Sequence, residues 1–300
     1  MDYLLVRQNI MNRKTVLLIG CTGQIGNNLY QLMMPMYNVI NPTRFQLDLS
    51  KPKTLRKKIK DWNPDLIINA AAYTQVDKAE NNAELVFLIN TEAPIAIAQV
   101  ANELNIPLIH YSTDYVFNGK KSCAYLENDN PDPINVYGES KLQSEEGVFQ
   151  YNDKSLVLRT SWIYGNNGSN FLTIMKSLFR SKDEINVVND QFGSPTWSYE
   201  VARATLKLIT NIDKGSKNLW GLYHMTTSGS TTWHGFANEI QNKDDFNSIT
   251  KVSPISSKDY KSIAKRPKNT VLNNDKLLTD WDIKLPHWKD ALERCILENK

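Results

Sequence analysis

The chain has little of what would tie it to a special environment. Its three cysteines, Cys21, Cys123 and Cys295, are far apart and show no CxxC or Cys/His ligand spacing. Neither a disulfide framework nor a zinc site is expected, and a reducing, cytoplasmic setting is. The four histidines, His110, His224, His234 and His287, stand alone, with packing the simpler expectation for each. Charge of one sign is also scarce: 35 Lys and Arg against 32 Asp and Glu leave a net +3. The densest basic stretch, "RKKIK" near residue 58, reads as the solvated face of a helix, so nucleic acid is not an expected partner. No apolar run approaches the roughly 18 residues of a bilayer crossing, and no membrane partner is expected. The opening "MDYLLVRQNI" lacks the basic start, h-region and cleavage site of a signal peptide. Translation could begin at Met1 or at Met11.

What is present is alternation. "KTVLLIG" reads as a buried strand ending in glycine and "NNLYQLMM" as a helix; "YNVIN", "PDLIINAAA", "IPLIHYSTD" and "KSLVLRTSWIYG" read as further strands. Between them "KPKTLRKKIKDW", "NAELVFLINTEAPIAIAQVANELN" and "NVYGES" continued by "KLQSEEGVFQYN" read as helices. Alternation of this kind implies right-handed crossovers and an α/β fold with a doubly wound parallel sheet of Rossmann type. After Gly165 the strict alternation fades, although a helix is expected from about Ser198 to Ile209. We therefore expect a nucleotide-binding Rossmann domain over 12–165, joined by a segment near 195–225. Residues 166–194 and 226–300 would form a smaller, partly interleaved C-terminal substrate lobe.

The chemistry concentrates at strand ends. "GCTGQIG" places Gly20, Gly23 and Gly26 at a strand-to-helix turn, where missing side chains allow a pyrophosphate to approach the helix N-terminus. This G-x-x-G-x-x-G spacing favours the short-chain dehydrogenase/reductase style of site. At the end of the second strand, "INPTRFQLDLS" offers no acid for the ribose hydroxyls but does offer Arg44. An arginine can fork onto a 2′-phosphate, so NADPH is favoured, with NADH possible; a surface arginine is the competing reading. Asp48 could reach the adenine edge, and Ala70, Ala71 and Ala72 in "NAAA" leave room for a cofactor or simply pack tightly.

"HYSTDYVF" puts Thr113 and Asp114 at the carboxyl edge of the sheet. With Tyr137 and Lys141 of "NVYGESK" they suggest a hydroxyl to hold a carbonyl oxygen, a phenol to protonate it and a lysine to tune the phenol. A free phenol has a pKa near 10, and a nearby ammonium would move it toward working pH. Trp162 could stack on a sugar or pack in the core. Asn170, Phe171, the "NDQFGSPT" loop and Arg266 with Pro267 could line a site for a charged, hydroxyl-rich substrate.

"GCTGQIG", "LDLS", "NAAAYTQVDKAE", "STDYVFNG", "NVYGESKLQSE", "LRTSWIYG", "NVVNDQFGSPT", "GLYH", "TTWHGFA" and "KRP" run in order along most of residues 14 to 290. In these motifs the chain resembles the dTDP-4-dehydrorhamnose reductase family of extended short-chain dehydrogenase/reductases. The resemblance implies NAD(P)H-dependent reduction of the C4 ketone of dTDP-6-deoxy-L-lyxo-4-hexulose, a dTDP-4-keto-6-deoxy sugar. It makes Thr113, Tyr137 and Lys141 the catalytic trio, with Tyr137 the proton donor. It puts Gly20, Gly23, Gln24, Ile25, Arg44, Asp48, Leu49, Ala70 to Ala72 and Tyr111 at the cofactor, and Val76, Asp114, Tyr115 and Trp162 around the sugar. Members that bridge a dimer through magnesium use a glutamate on the first helix, where this chain has Asn28, and Tyr199 matches a second acid. The resemblance therefore carries over neither magnesium nor that dimer, and a monomer or homodimer is left open. A nucleotide-sugar epimerase of the same superfamily, or a non-catalytic subunit that regulates methionine adenosyltransferase, are the rival readings.

Overall fold

The computed structural model describes residues 13–215, 219–243 and 250–298; the choice between Met1 and Met11 falls outside them. Six strands form one sheet: β1 (Thr15–Ile19), β2 (Asn38–Ile40), β3 (Leu66–Asn69), β4 (Leu108–Thr113), β5 (Ser155–Thr160) and β6 (Gly221–His224). Every pairing is parallel, in the order β6-β5-β4-β3-β1-β2. The order reverses direction between β1 and β3, and ligands of doubly wound sheets bind beyond the strand ends at such a crevice.

The sheet is covered on both faces because its strands are apolar on both. Val16, Leu18, Leu66, Ile68, Ile109 and Leu158 face one way, onto helices α1 (Gln24–Met33) and α6 (Ser198–Asp213). Leu17, Ile19, Ile67 and Val157 face the other, onto α2 (Leu55–Trp62), α3 (Ala83–Glu103) and α4 (Val136–Tyr151). The period-2 alternation of strand side chains produces this division. The first core also takes in Leu277, Trp281, Ile283 and Leu285, from a stretch that the sequence alone assigns to the other lobe. Helix α6 runs to Asp213, four residues past the expected Ile209.

Helix α3 is long and apolar enough to cross a membrane by length and composition. Its Ile97, Ala98, Val100 and Ala101 are fully buried against the sheet, which makes it a core helix. Leu88–Glu92 forms a π-helical turn within it. There Asn90 accepts from Tyr73 N at 2.7 Å and donates to Ser140 Oγ at 3.1 Å, while Thr91 Oγ1 donates to Ser140 O at 2.7 Å. The π turn thus ties the chain after β3 to the first turns of α4.

A third apolar cluster forms the smaller lobe. It draws on α5 (Phe171–Ser181), α7 (Trp233–Lys243) and α8 (Trp288–Leu297), with Ile185 and Val187 of strand Glu184–Val188. That strand pairs in parallel with Lys251–Ile255, apart from the main sheet.

Candidate active site

A cleft of about 980 Å³ opens between the carboxyl ends of the strands and the smaller lobe. Its floor begins at the turn after β1, where Gly20 has φ +88°. A Cβ on Gly20 would lie 2.6 Å from Ala71 N, so only glycine lets this turn meet the chain after β3. A Cβ on Gly26 would lie 2.1 Å from Gly20 O. The third glycine therefore serves the packing of α1 on the turn and does not line the cleft. Gly23 is the N-cap of α1, no side chain caps its first N–H groups, and the first turn carries no acid. With Gln24 and Ile25 lining the cleft, those N–H groups form a site suited to an anion.

Ala70, Ala71, Ala72 and Tyr111 also line the cleft. The Tyr111 side chain turns into the core, where its hydroxyl meets Thr205 Oγ1 at 2.7 Å, so its backbone is what the cleft can use. Arg44, Asp48 and Leu49 lie outside the lining. Leu49 is buried in the apolar core, and Asp48 accepts from Ser50 N and Oγ at 3.0 and 2.7 Å. The Arg44 side chain is 78% exposed and meets Asp48 only at 4.0 Å. Its guanidinium is thus free to take an anion arriving over the sheet edge.

"NVYGESK" is a helix start and brings a lysine and a tyrosine into the same cleft. Asn135 caps α4 by accepting from Gly138 N at 2.7 Å. A Cβ at Gly138 would lie 2.2 Å from Tyr115 O, so the glycine lets α4 dock on the segment after β4. Tyr137 and Lys141, four residues apart, then share the face turned to the cleft. Tyr137 packs edge-on against Tyr115 at 5.9 Å and lies near enough to Thr113 for that hydroxyl to favour its ionised form. Thr113 Oγ1 also donates to Asp114 Oδ1 at 3.1 Å, and Ser161 Oγ donates to Asp114 Oδ2 at 2.9 Å.

Burial sets the protonation of this group. It raises the Tyr137 phenol above its ordinary value, with only Thr113 pulling down. Burial raises Tyr115 to about 12 and Asp114 to about 6. Lys141, 1% exposed, is lowered by burial to about 7, with Glu145 opposing. Desolvation thus outweighs any lowering of the phenol by the ammonium, and it brings the lysine's own titration down toward neutral pH.

On the sugar side, Val76, Asp114, Tyr115 and Trp162 line the cleft, as do Asn170 and Arg266. Arg266 pairs with Asp77 at 2.8 Å and lies close to the Tyr115 phenol. Asn170 is engaged all round: its Oδ1 caps α5, and its Nδ2 donates to Gln24 Oε1 and Gly165 O at 3.1 and 2.9 Å. It ties the glycine turn to the smaller lobe. Trp162 stacks on Trp233 at 3.5 Å and 5°, and a Cβ on Gly193 would lie 2.3 Å from its ring. Both indole faces are covered, so Trp162 can offer a sugar its edge and not a stacking face. The "NDQFGSPT" loop backs this stack instead of lining the cleft. Trp233 and Ser161, which the sequence reading missed, do line it. Ser161 follows a strand end as Thr113 does, and the same edge argument reaches it; nothing in spacing reveals Trp233. Among the described residues, no group of three or more His, Cys, Asp or Glu side chains is placed to hold a metal ion.

A family model described as the RmlD substrate binding domain matches residues 14–300. The dTDP-4-dehydrorhamnose reductase of Escherichia coli K12 is 38% identical over 291 residues, covering 94% of this chain and 97% of that relative. A crystal structure of dTDP-4-dehydrorhamnose reductase from Bacillus anthracis, in complex with NADP, superposes with a TM-score of 0.89 at 33% identity, covering 95% of this chain and 99% of that one. A dTDP-4-dehydrorhamnose reductase from Clostridium acetobutylicum gives 0.88 at 34%, covering 95% and 100%.

Proposed function

Because the chain belongs to the RmlD substrate-binding family, whose relatives include dTDP-4-dehydrorhamnose reductases, we propose that it reduces the C4 ketone of dTDP-6-deoxy-L-lyxo-4-hexulose to give dTDP-L-rhamnose. The observation that carries this reading is one cleft lined both by an anion-binding glycine turn and by Thr113, Tyr137 and Lys141.

The residues present fit a nicotinamide dinucleotide. Gly20 and Gly23 keep the turn tight against the chain after β3 and line the cleft, the open N–H groups of α1 suit a pyrophosphate, and the exposed guanidinium of Arg44 suits a 2′-phosphate. NADPH is accordingly the preferred donor, with NADH the second. When bound, the dinucleotide supplies the hydride that C4 receives. Thr113 Oγ1, turning its one hydrogen from Asp114 Oδ1, holds the carbonyl oxygen, and the Tyr137 hydroxyl gives it a proton as C4 becomes an alcohol. Lys141 stands behind Tyr137 to re-establish the phenol. Val76, Tyr115, Asp114, Arg266 and the edge of Trp162 shape the sugar pocket, and Asn170 holds the glycine turn against it. The setting is cytoplasmic.

Incubating the protein with NADPH and the dTDP-4-keto sugar, then identifying the product by NMR, tests the reading. dTDP-L-rhamnose with stoichiometric loss of NADPH is expected. An epimerised ketone sugar with no net NADPH consumption, or nicotinamide that co-purifies tightly, would replace it with an epimerase.

A further inference from the structure

A cleft that serves a dinucleotide and a sugar nucleotide must receive two diphosphates. The open N–H groups of α1 suit the first. For the second the choice is narrow, because among the described residues that line the cleft the cationic side chains are Lys141 and Arg266. Lys141 is 1% exposed and donates to Tyr111 O at 2.7 Å. The Arg266 side chain is 24% exposed. Tyr115 meets both ends of the sugar side, packing on Tyr137 at 5.9 Å and lying close to Arg266 through its phenol. In a hexopyranose C1 lies across the ring from C4, so a sugar beside Tyr115 with C4 at Tyr137 can carry its anomeric phosphate to Arg266.

The guanidinium is held in place from a distant part of the chain. Asp77 sits on the short helix Val76–Ala79 after β3, 189 residues before Arg266, and its Oδ2 accepts from Arg266 Nη2 at 2.8 Å. Its Oδ1 accepts from Ile263 N and Ala264 N at 3.1 and 3.0 Å. Burial acts to raise this carboxyl, but the Ala264 N–H and the Arg266 charge outweigh it and hold it below its ordinary value. Lys265 O accepts from Nδ2 of Asn135, the cap of α4, at 2.9 Å. At the far end of the stretch, Asp190 accepts from Ser257 N and Oγ at 2.8 and 2.9 Å. Residues 258–263 between these anchors are all exposed, so bonds to two carboxylates, and not apolar burial, hold them. The pairing with Asp77 uses Nη2, and Arg266 Nε is buried without a hydrogen-bond partner. A guanidinium tied at one nitrogen keeps donors for an anion while losing little further freedom when it binds one.

We propose that Arg266 binds the diphosphate of the sugar nucleotide, and that Asp77 is its positioning residue, clasping residues 263–266 to the chain after β3 so that the guanidinium meets the cleft. The charge of Asp77 by itself opposes a phosphate nearby. Its role is therefore readable in the sign of its removal: a bystander carboxylate would tighten anion binding when deleted, and a positioning one weakens it.

The choice of ligand rests on the sugar-nucleotide reading, but the test involves no turnover, so the two can fail separately. Protein saturated with NADP⁺, which occupies the glycine turn, is titrated calorimetrically with dTDP at low and at physiological salt. Arg266→Met should lower dTDP affinity about ten- to a hundredfold, the worth of a charge-assisted hydrogen bond, and should flatten its salt dependence. Arg266→Lys, which keeps the charge without the fork, should keep the salt dependence and lose part of the affinity. Asp77→Ala should weaken dTDP about tenfold, whereas Asp77→Asn, which retains an acceptor for Ile263 N, Ala264 N and Arg266, should recover most of it. NADP⁺ affinity, measured on the same samples, should stay within about twofold. No dTDP binding by the wild type, unchanged dTDP affinity in the Arg266 variants, equal or tighter binding in Asp77→Ala, or parallel loss of dTDP and NADP⁺ would each overturn the proposal.

Discussion

Arg44 offers the cleanest separation of cofactor reading from folding. Its side chain is 78% exposed and its one ion-pair neighbour, Asp48, is 4.0 Å away, so Arg44→Ala removes almost nothing the fold depends on. If the guanidinium forks onto a 2′-phosphate, each lost charge-assisted contact is worth about 1.5 to 3 kcal/mol, or roughly 10- to 150-fold in affinity. Exposure screens such a pair, which selects the lower end, about tenfold, at physiological salt. Binding titrations of the variant with NADPH and NADH, at low and at physiological salt, read this directly. NADPH affinity should fall about tenfold and more steeply at low salt, while NADH affinity stays within about twofold. Equal loss for both cofactors would show that Arg44 supports the adenosine loop without reading the phosphate, and no loss for either would remove it from the site.

Tyr137→Phe keeps the ring against Tyr115 but removes the proton donor; kcat should fall at least about a hundredfold with NADPH affinity unchanged, and near-normal turnover would transfer the role to another acid. Gly20→Ala would set a Cβ 2.6 Å from Ala71 N and 2.7 Å from the Ala70 carbonyl carbon at φ +88°. The left-handed backbone alone costs about 1 to 2 kcal/mol, so denaturant unfolding should show at least that loss together with weakened NADPH binding, and an unchanged midpoint would mean the turn can move. Burial raises Asp114 from 3.8 to about 6, so its contribution to stability is full below the unfolded value and is lost as pH rises through about 6. Asp114→Asn, neutral throughout, should gain on the wild type between pH 4 and 6.5 in thermal unfolding and then level off; a constant difference would refute the buried-acid reading.

The Rossmann frame was legible because short apolar runs such as Val16 to Ile19, buried on both faces, alternate with segments of helical period; which of these residues faces which helix layer was not. The glycine turn and the Thr113, Tyr137 and Lys141 set were legible as motifs whose members fall at strand ends or a helix start. What stayed hidden depends on contacts distant in sequence. Trp162 reads equally as a sugar-stacking ring or a packed one, and only the contacts of Gly193 and Trp233 with its indole decide between them. The π turn at Leu88–Glu92 leaves no mark in an apolar helical pattern, though Asn90 and Thr91 use it to hold Ser140. Tyr111 lines the cleft through its backbone, a distinction that alternation along β4 could have drawn.

His110 reads from sequence as a lone packing histidine, and in the fold it is fully buried with a polar partner at each ring nitrogen. Its significance comes from what faces it. Helix α4 presents Lys141, Ser144 and Glu145 toward the sheet, all buried, and β4 answers with His110 and Ser112 where an ordinary parallel strand would place leucine or valine. Glu145 pairs with Arg159 at 2.6 Å and accepts from Ser112. Such a seam forgoes apolar contact and pays desolvation for every charge in it, which is why α4 does not read as amphipathic. Each polar atom in the seam instead fixes its neighbour, and the last member, Lys141, reaches the cleft with its position decided by partners that the substrate never touches.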